Sequence, residues 1–249
     1  MQVAASIPVF KRVSDLDGWR WYYREGHVNK PSEWYASVTN VLSIAVPKYL
    51  KNYMMRTSQR KQTERLTEAS EIGTRAHEII ESDLLGKHVT RVDLDDVLRI
   101  IYDGWLKLET KHSITARHVE VPVASSILGF GGTLDLVGNF EGKSCIMDLK
   151  TGNFGKSVGL QLAAYRLAWK ELTGENLGMV GLSIRCKRAL QTRQLYAETN
   201  AFRYEHLQYC ESAFLSCFNT WKATYSTKLD RMNWKYRGLH AVPAAPWGS

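Results

Sequence analysis

Cysteine is scarce and dispersed in this chain. Cys145, Cys186, Cys210 and Cys217 form no closely spaced group, and they read as free, largely buried thiols rather than a metal framework. No GxxxxGK[ST] phosphate loop occurs, so ATP-driven movement along a substrate would have to come from a partner. No stretch is long enough to cross a bilayer, and Met1–Pro8 lacks the charged start and apolar run of a secretory signal. The expected compartment is the cytoplasm. Internal repeats and low-complexity segments are also missing.

What is abundant is positive charge. Thirty-three Lys and Arg against twenty-five Asp and Glu give a formal charge of +8, which favours a polyanionic partner. Lys48, Lys51, Arg56, Arg60, Lys61 and Arg65 are interleaved with Tyr49, Tyr53, Met54 and Met55. This pattern suits a groove in which cations follow phosphates and aromatic faces stack bases, and it equally suits a solvated basic helix with its Tyr and Met inside. Arg185, Lys187, Arg188 and Arg193 flank a turn expected between two later strands.

The chemistry concentrates between Gly132 and Lys150. Asp135 is followed thirteen residues later by Asp148, two before Lys150. Side chains alternate along a strand, so Asp148 and Lys150 share a face that Met147 and Leu149 avoid. If 134–138 and 145–150 pair as a hairpin around Asn139–Lys143, Asp135 approaches Asp148 and the face carries hard oxygen ligands beside a cation. Magnesium and manganese take such ligands and keep waters, one of which can become the attacking hydroxide on phosphorus. Lys150 would orient that water or offset the charge that grows on the phosphate. Alone, Asp-x-Lys also describes a salt bridge at a strand edge.

Two further constellations flank it. Residues 67–81 read as a helix with Ile72, Ala76, Ile79 and Ile80 on one stripe and His77 on or beside it. An imidazole there is either a packed core residue or a metal ligand. Gly73, one turn earlier, permits close approach of another backbone or a phosphate. Gln161 and Tyr165 share a helix face, either as a solvated polar edge or as contacts to a nucleic-acid strand. Glu120, in His118–Val123, reads chiefly as a surface carboxylate, with a second-metal or outer role as the alternative.

Gly73-x-x-x-His77, Gly132-x-x-Asp135, Asp148-x-Lys150 and Gln161-x-x-x-Tyr165 come in one order. That series resembles the motifs of RecB-type nucleases of the PD-(D/E)XK superfamily, among them phage exonucleases, mitochondrial genome-maintenance exonucleases and CRISPR adaptation nucleases. Tyr35–Ser43 is similar to the opening these proteins often carry. The resemblance implies metal binding by His77, Asp135, Asp148 and the carbonyl of Leu149, with Lys150 as the catalytic lysine and Gln161 and Tyr165 seating the strand. Several relatives hold an iron–sulfur cluster on four cysteines, a pattern this chain departs from.

The expected fold is α/β, a restriction-endonuclease-like core with a small mixed sheet flanked by helices, in a single nuclease domain. Residues 1–115 are mainly helical, with an aromatic hairpin at 19–34 and helices near 38–65, 67–85 and 93–112. Residues 116–200 form the core, with strands near 116–123, 128–138 and 144–150, a helix near 156–173 and two more strands. Residues 201–249 supply a closing helix, 203–228, and a tail. The expected function is a Mg2+- or Mn2+-dependent DNA exonuclease, single-strand preferring, in phage or host recombination, replication or repair, with a helicase or other protein partner. The alternatives are a structure- or sequence-selective endonuclease and a non-catalytic DNA-binding subunit.

Overall fold

Ile146 packs into one helical layer while Cys145, Met147 and Leu149 pack into the other. This alternation along one strand separates two large hydrophobic cores, one on each face of a single sheet, and a smaller cluster gathers Phe10, Tyr22, Tyr35 and Ala124. The computed structural model describes residues 8–14, 18–24, 34–45, 59–152, 155 and 157–235, with the backbone alone for 59–66, 226 and 228–235. The strands are β1 Phe10–Ser14, β2 Arg20–Arg24, β3 Trp34–Ser37, β4 Thr115–Ser125, β5 Phe130–Phe140, β6 Lys143–Lys150, β7 Gly178–Arg188 and β8 Leu195–Tyr204. The helices are α1 Val38–Leu42, α2 Gln59–Leu84, α3 Asp96–His112, α4 Ser157–Thr173 and α5 Leu207–Lys235. The sheet runs β1-β2-β3-β5-β6-β7-β8, with β4 laid against β5. β3–β5 and β6–β7 are the parallel pairs, and α4 is the crossover that the second of these requires.

The first core lies under α1, α4 and α5. There Phe130, Leu134, Val137 and Ile146 meet Leu162, Tyr165 and Trp169 of α4 and Phe214, Phe218 and Trp221 of α5. The second lies under α2 and α3. Leu98, Ile101, Tyr102, Trp105 and Leu108 form the buried stripe of α3, at the three- and four-residue spacing of an amphipathic helix. Each such side chain stabilises by roughly 1.5–3 kcal/mol on burial. Asp95 caps α3 by accepting the Leu98 N–H at 2.9 Å. Asp83 of α2 ties the two helices together by accepting from the Tyr102 hydroxyl at 2.7 Å and Trp105 Nε1 at 3.1 Å.

The N-terminal part departs most from expectation. It contributes three strands, so the sheet has eight strands rather than being small. The expected aromatic hairpin is present as β2–β3, antiparallel with Tyr22 opposite Tyr35. Its tryptophans bind it to the body: Trp21 lies 6.3 Å from Trp221 and Trp19 lies 4.9 Å from Tyr225. β1 adds to its outer edge. α2 is one continuous helix across the boundary expected near residue 66, and α1 is only five residues long. Lys48, Lys51, Arg56 and the tail beyond Lys235 lie outside the described residues. Among the cysteines only Cys145 is fully buried; the other three are half-buried and all four are free. No described helix is long and apolar enough to cross a membrane.

Candidate active site

β5 has one continuous edge and one divided edge. β4 pairs with it from Phe130 to Asn139. On the other side, β3 holds only Phe130 and Gly131, and β6 holds only Leu136 to Phe140. Gly132–Asp135 therefore face a fork. Beyond Met147, β6 leaves β5 and continues beside β7 alone. The carboxylate of Asp135 spans the opening, with Oδ2 accepting the Leu149 N–H at 2.8 Å.

Opposite this point β4 is kinked. Val119 pairs with Leu136 and Val121 with Leu134, while Glu120 and Asp135 between them drop out of the register, and Glu120 has a left-handed φ of 48°. The consequence is a local loss of alternation. Val119 and Glu120, and likewise Asp135 and Leu136, line one cavity on the α2 side, where a regular strand would send neighbours to opposite faces. His77 of α2 enters the same space. Its Nδ1 lies 3.7 Å from Glu120 Oε1 and 3.9 Å from Asp135 Oδ2. The three residues can offer ligand atoms all within 4.8 Å of one another. Burial pulls the His77 pKa down, but the Glu120 and Asp135 carboxylates outweigh it and leave the net shift upward.

Asp148 and Lys150 form the second half. The Lys150 ammonium donates to Asp148 Oδ1 at 2.7 Å. Oδ2 is also 2.7 Å from that nitrogen but accepts no directed hydrogen bond. Asp148 is completely buried. Burial raises its carboxyl to about 6, Lys150 opposing the shift and Asp135 adding to it. Burial depresses Lys150 in turn, yet the charges of Asp148 and Asp135 keep it above the ordinary lysine value. The imidazole of His77 with the carboxylates of Glu120 and Asp135 is a donor set that fits a hard or borderline divalent cation.

Gly132 and Tyr165, from separate sequence motifs, prove to be one contact. A Cβ at Gly132 would stand 2.2 Å from Tyr165 Cε1, so only glycine admits the ring. Gln161 Nε2 donates to the Tyr165 hydroxyl at 3.1 Å. Tyr165 is 3% exposed, so it is no solvated polar edge. Burial, then the nearby Tyr22, Asp148 and Asp135, push its phenol well above the usual value. Gly73 likewise serves a close approach, its absent Cβ facing Thr151 Oγ1 at 3.3 Å.

The remaining expected residues are placed as follows. Leu149 lends its N–H to Asp135, and its side chain lines the cavity. Arg60 lies on α2, with its backbone alone described. Arg185 and Lys187 both pair with Glu198 of β8, which offsets part of the charge of the basic cluster there. Glu120 is the residue whose main sequence reading fails, because it is half-buried in the His77–Asp135 cluster rather than a surface carboxylate. Its alternation with Val119 and Val121 places it on a polar face, and a left-handed kink at a glutamate leaves no mark in the sequence.

No family model matches this chain, and no curated protein does. Among solved structures the chain is similar to a candidate exonuclease from Eubacterium rectale, at 9% identity and a TM-score of 0.42 over 66% of this chain and 68% of that one. It is also similar to LHK-Exo in complex with dAMP, at 11% identity and a TM-score of 0.34 over 81% and 92%. A second structure of LHK-Exo, an alkaline exonuclease from Laribacter hongkongensis, gives 12% identity and a TM-score of 0.31 over 78% and 92%.

Proposed function

We propose that this chain is a metal-dependent DNA exonuclease on a PD-(D/E)XK-type core, single-strand preferring and acting in recombination, replication or repair. The observation that carries the reading is the fork between β5 and β6. It sets Asp135 against the Leu149 amide, within 3.9 Å of His77, and leaves Asp148 and Lys150 as a buried ion pair on the neighbouring strand.

His77, Asp135, Asp148 and the Leu149 carbonyl would hold Mg2+ or Mn2+. When bound, the cation supplies Lewis acidity toward phosphate and water. Lys150 keeps its proton because Asp148 and Asp135 surround it, and it faces the negative charge that develops on the phosphate oxygens as water attacks. Gln161 and Tyr165 make the wall of the site, with Gly132 setting how close that wall stands to β5. The basic segment with Lys51, Arg56 and Arg60 draws the DNA strand by its phosphates. With no phosphate loop in the sequence, any helicase step belongs to a partner.

The test is digestion of end-labelled single-stranded, double-stranded and closed circular DNA with Mg2+ or Mn2+, with Asp148→Ala as the control. Loss of linear but not circular substrate, abolished in the variant, is the expected result. Cutting of circles would replace the exonuclease reading by an endonuclease. No metal-dependent cleavage of any substrate would make the chain a DNA-binding subunit.

A further inference from the structure

We infer that Glu120 is a metal ligand, forming with His77 and Asp135 a cation seat on the α2 side of the sheet. The inference rests on the nuclease reading above and extends its ligand set. Two observations carry it.

First, the spacing is wrong for hydrogen bonds and right for a shared ion. His77 Nδ1 stands 3.7 Å from Glu120 Oε1 and 3.9 Å from Asp135 Oδ2, beyond the range of about 2.7–3.2 Å in which N–H and oxygen bond. Ligands of one Mg2+ at about 2.1 Å stand roughly 3 Å apart when adjacent and roughly 4.2 Å when opposite. Both measured separations fall between those limits.

Second, the space between them suits one small occupant. The cavity that His77, Glu120 and Asp135 line holds about 20 Å³. That is room for roughly one water-sized species. Its other walls are Glu81 and apolar side chains such as Ile80 and Met147, so a polar occupant is held by the imidazole and the carboxylates that line it. The kink at Glu120 explains how a β4 residue joins this set, since it turns the carboxylate to the side where Val119 already points.

The experiment is calorimetric titration of metal-free protein with Mn2+, comparing wild type, Glu120→Gln, Glu120→Gly and Asp135→Ala. Folding is checked by thermal denaturation in chelator. Glu120→Gly removes the carboxylate while relaxing the left-handed φ, so a fold defect cannot account for a loss shared by both Glu120 variants. The expected result is a weakening of Mn2+ affinity by roughly 10–100-fold in both, with thermal stability in chelator unchanged or higher. Affinities within about threefold of wild type, alongside loss in Asp135→Ala, would overturn the assignment of Glu120 and leave the nuclease reading standing. Absence of Mn2+ uptake by wild type would overturn both.

Discussion

Asp135 is joined to Leu149 across the fork by a single side-chain-to-amide hydrogen bond of 2.8 Å. One carboxylate thus has two tasks, bridging a gap between strands and facing the His77 cavity. The tasks separate by substitution. Asp135→Asn keeps an acceptor for the Leu149 N–H, whereas Asp135→Ala leaves a part-buried donor unsatisfied, at a cost of about 1–3 kcal/mol. Both variants are expected to lose metal-dependent cleavage, but only the alanine variant should lose several degrees in Tm measured in chelator.

Lys150 and Asp148 make an asymmetric pair. Without the ammonium, Asp148 is a completely buried carboxylate that escapes by taking a proton. At pH 7 the loss in Lys150→Met is therefore capped near 4 kcal/mol, about 1.4 kcal/mol for each unit above the ordinary value near 3.9. The penalty should shrink as pH falls from 7 to 5, as followed by urea denaturation in chelator. Asp148→Asn should behave oppositely. With its pKa raised in the fold to about 6, Asp148 adds stability that is complete below its unfolded value and lost as pH rises through 6. Removing its charge is therefore expected to raise stability at pH 7 while abolishing cleavage.

At Gly132 the prediction is steric. An added methyl group 2.2 Å from the Tyr165 ring must displace either β5 or α4. Gly132→Ala should cost roughly 1–3 kcal/mol and depress cleavage. In Gly132→Ala/Tyr165→Leu the combined loss should be smaller than the sum of the single losses, by a double-mutant cycle of urea midpoints. Additive losses would show that the ring is not what the glycine accommodates.

Tyr102 and Tyr204 give an alkaline signature. Burial raises both to about 12, with the Asp83 hydrogen bond adding to the shift at Tyr102. Their raised values mean the folded state retains protons that the unfolded chain releases near pH 10. Stability from these groups is complete below about pH 10 and is lost between about 10 and 12. Absorbance at 295 nm should show them silent until the fold opens, and Tyr102→Phe should flatten the fall in stability over that window.

Much of this was legible where a period could be read. Strand alternation predicts that Asp148 and Lys150 share a face against Met147 and Leu149, and their direct contact agrees. The first three strands of the core and α4 fall within a few residues of their expected limits, and β8 runs to Tyr204, past the core boundary expected at residue 200. β1 and the breadth of the sheet were not legible, because short edge strands take their pairing from distant partners rather than from their own pattern. Glu120 escaped for a related reason: its direction is set by a backbone kink opposite Asp135, and residue identity carries no trace of that.

The unbroken length of α2 has a metric consequence. Arg60 and His77 lie seventeen residues apart on one helix, and at about 1.5 Å per residue their α-carbons are separated by roughly 26 Å. A helix of that length makes the α-carbons of Arg60 and His77 two marks on a ruler. On the proposed reading, in which Arg60 draws DNA by its phosphates, strands too short to reach from one mark to the other are held at a single end, and affinity measured against oligonucleotide length should rise in a step rather than gradually.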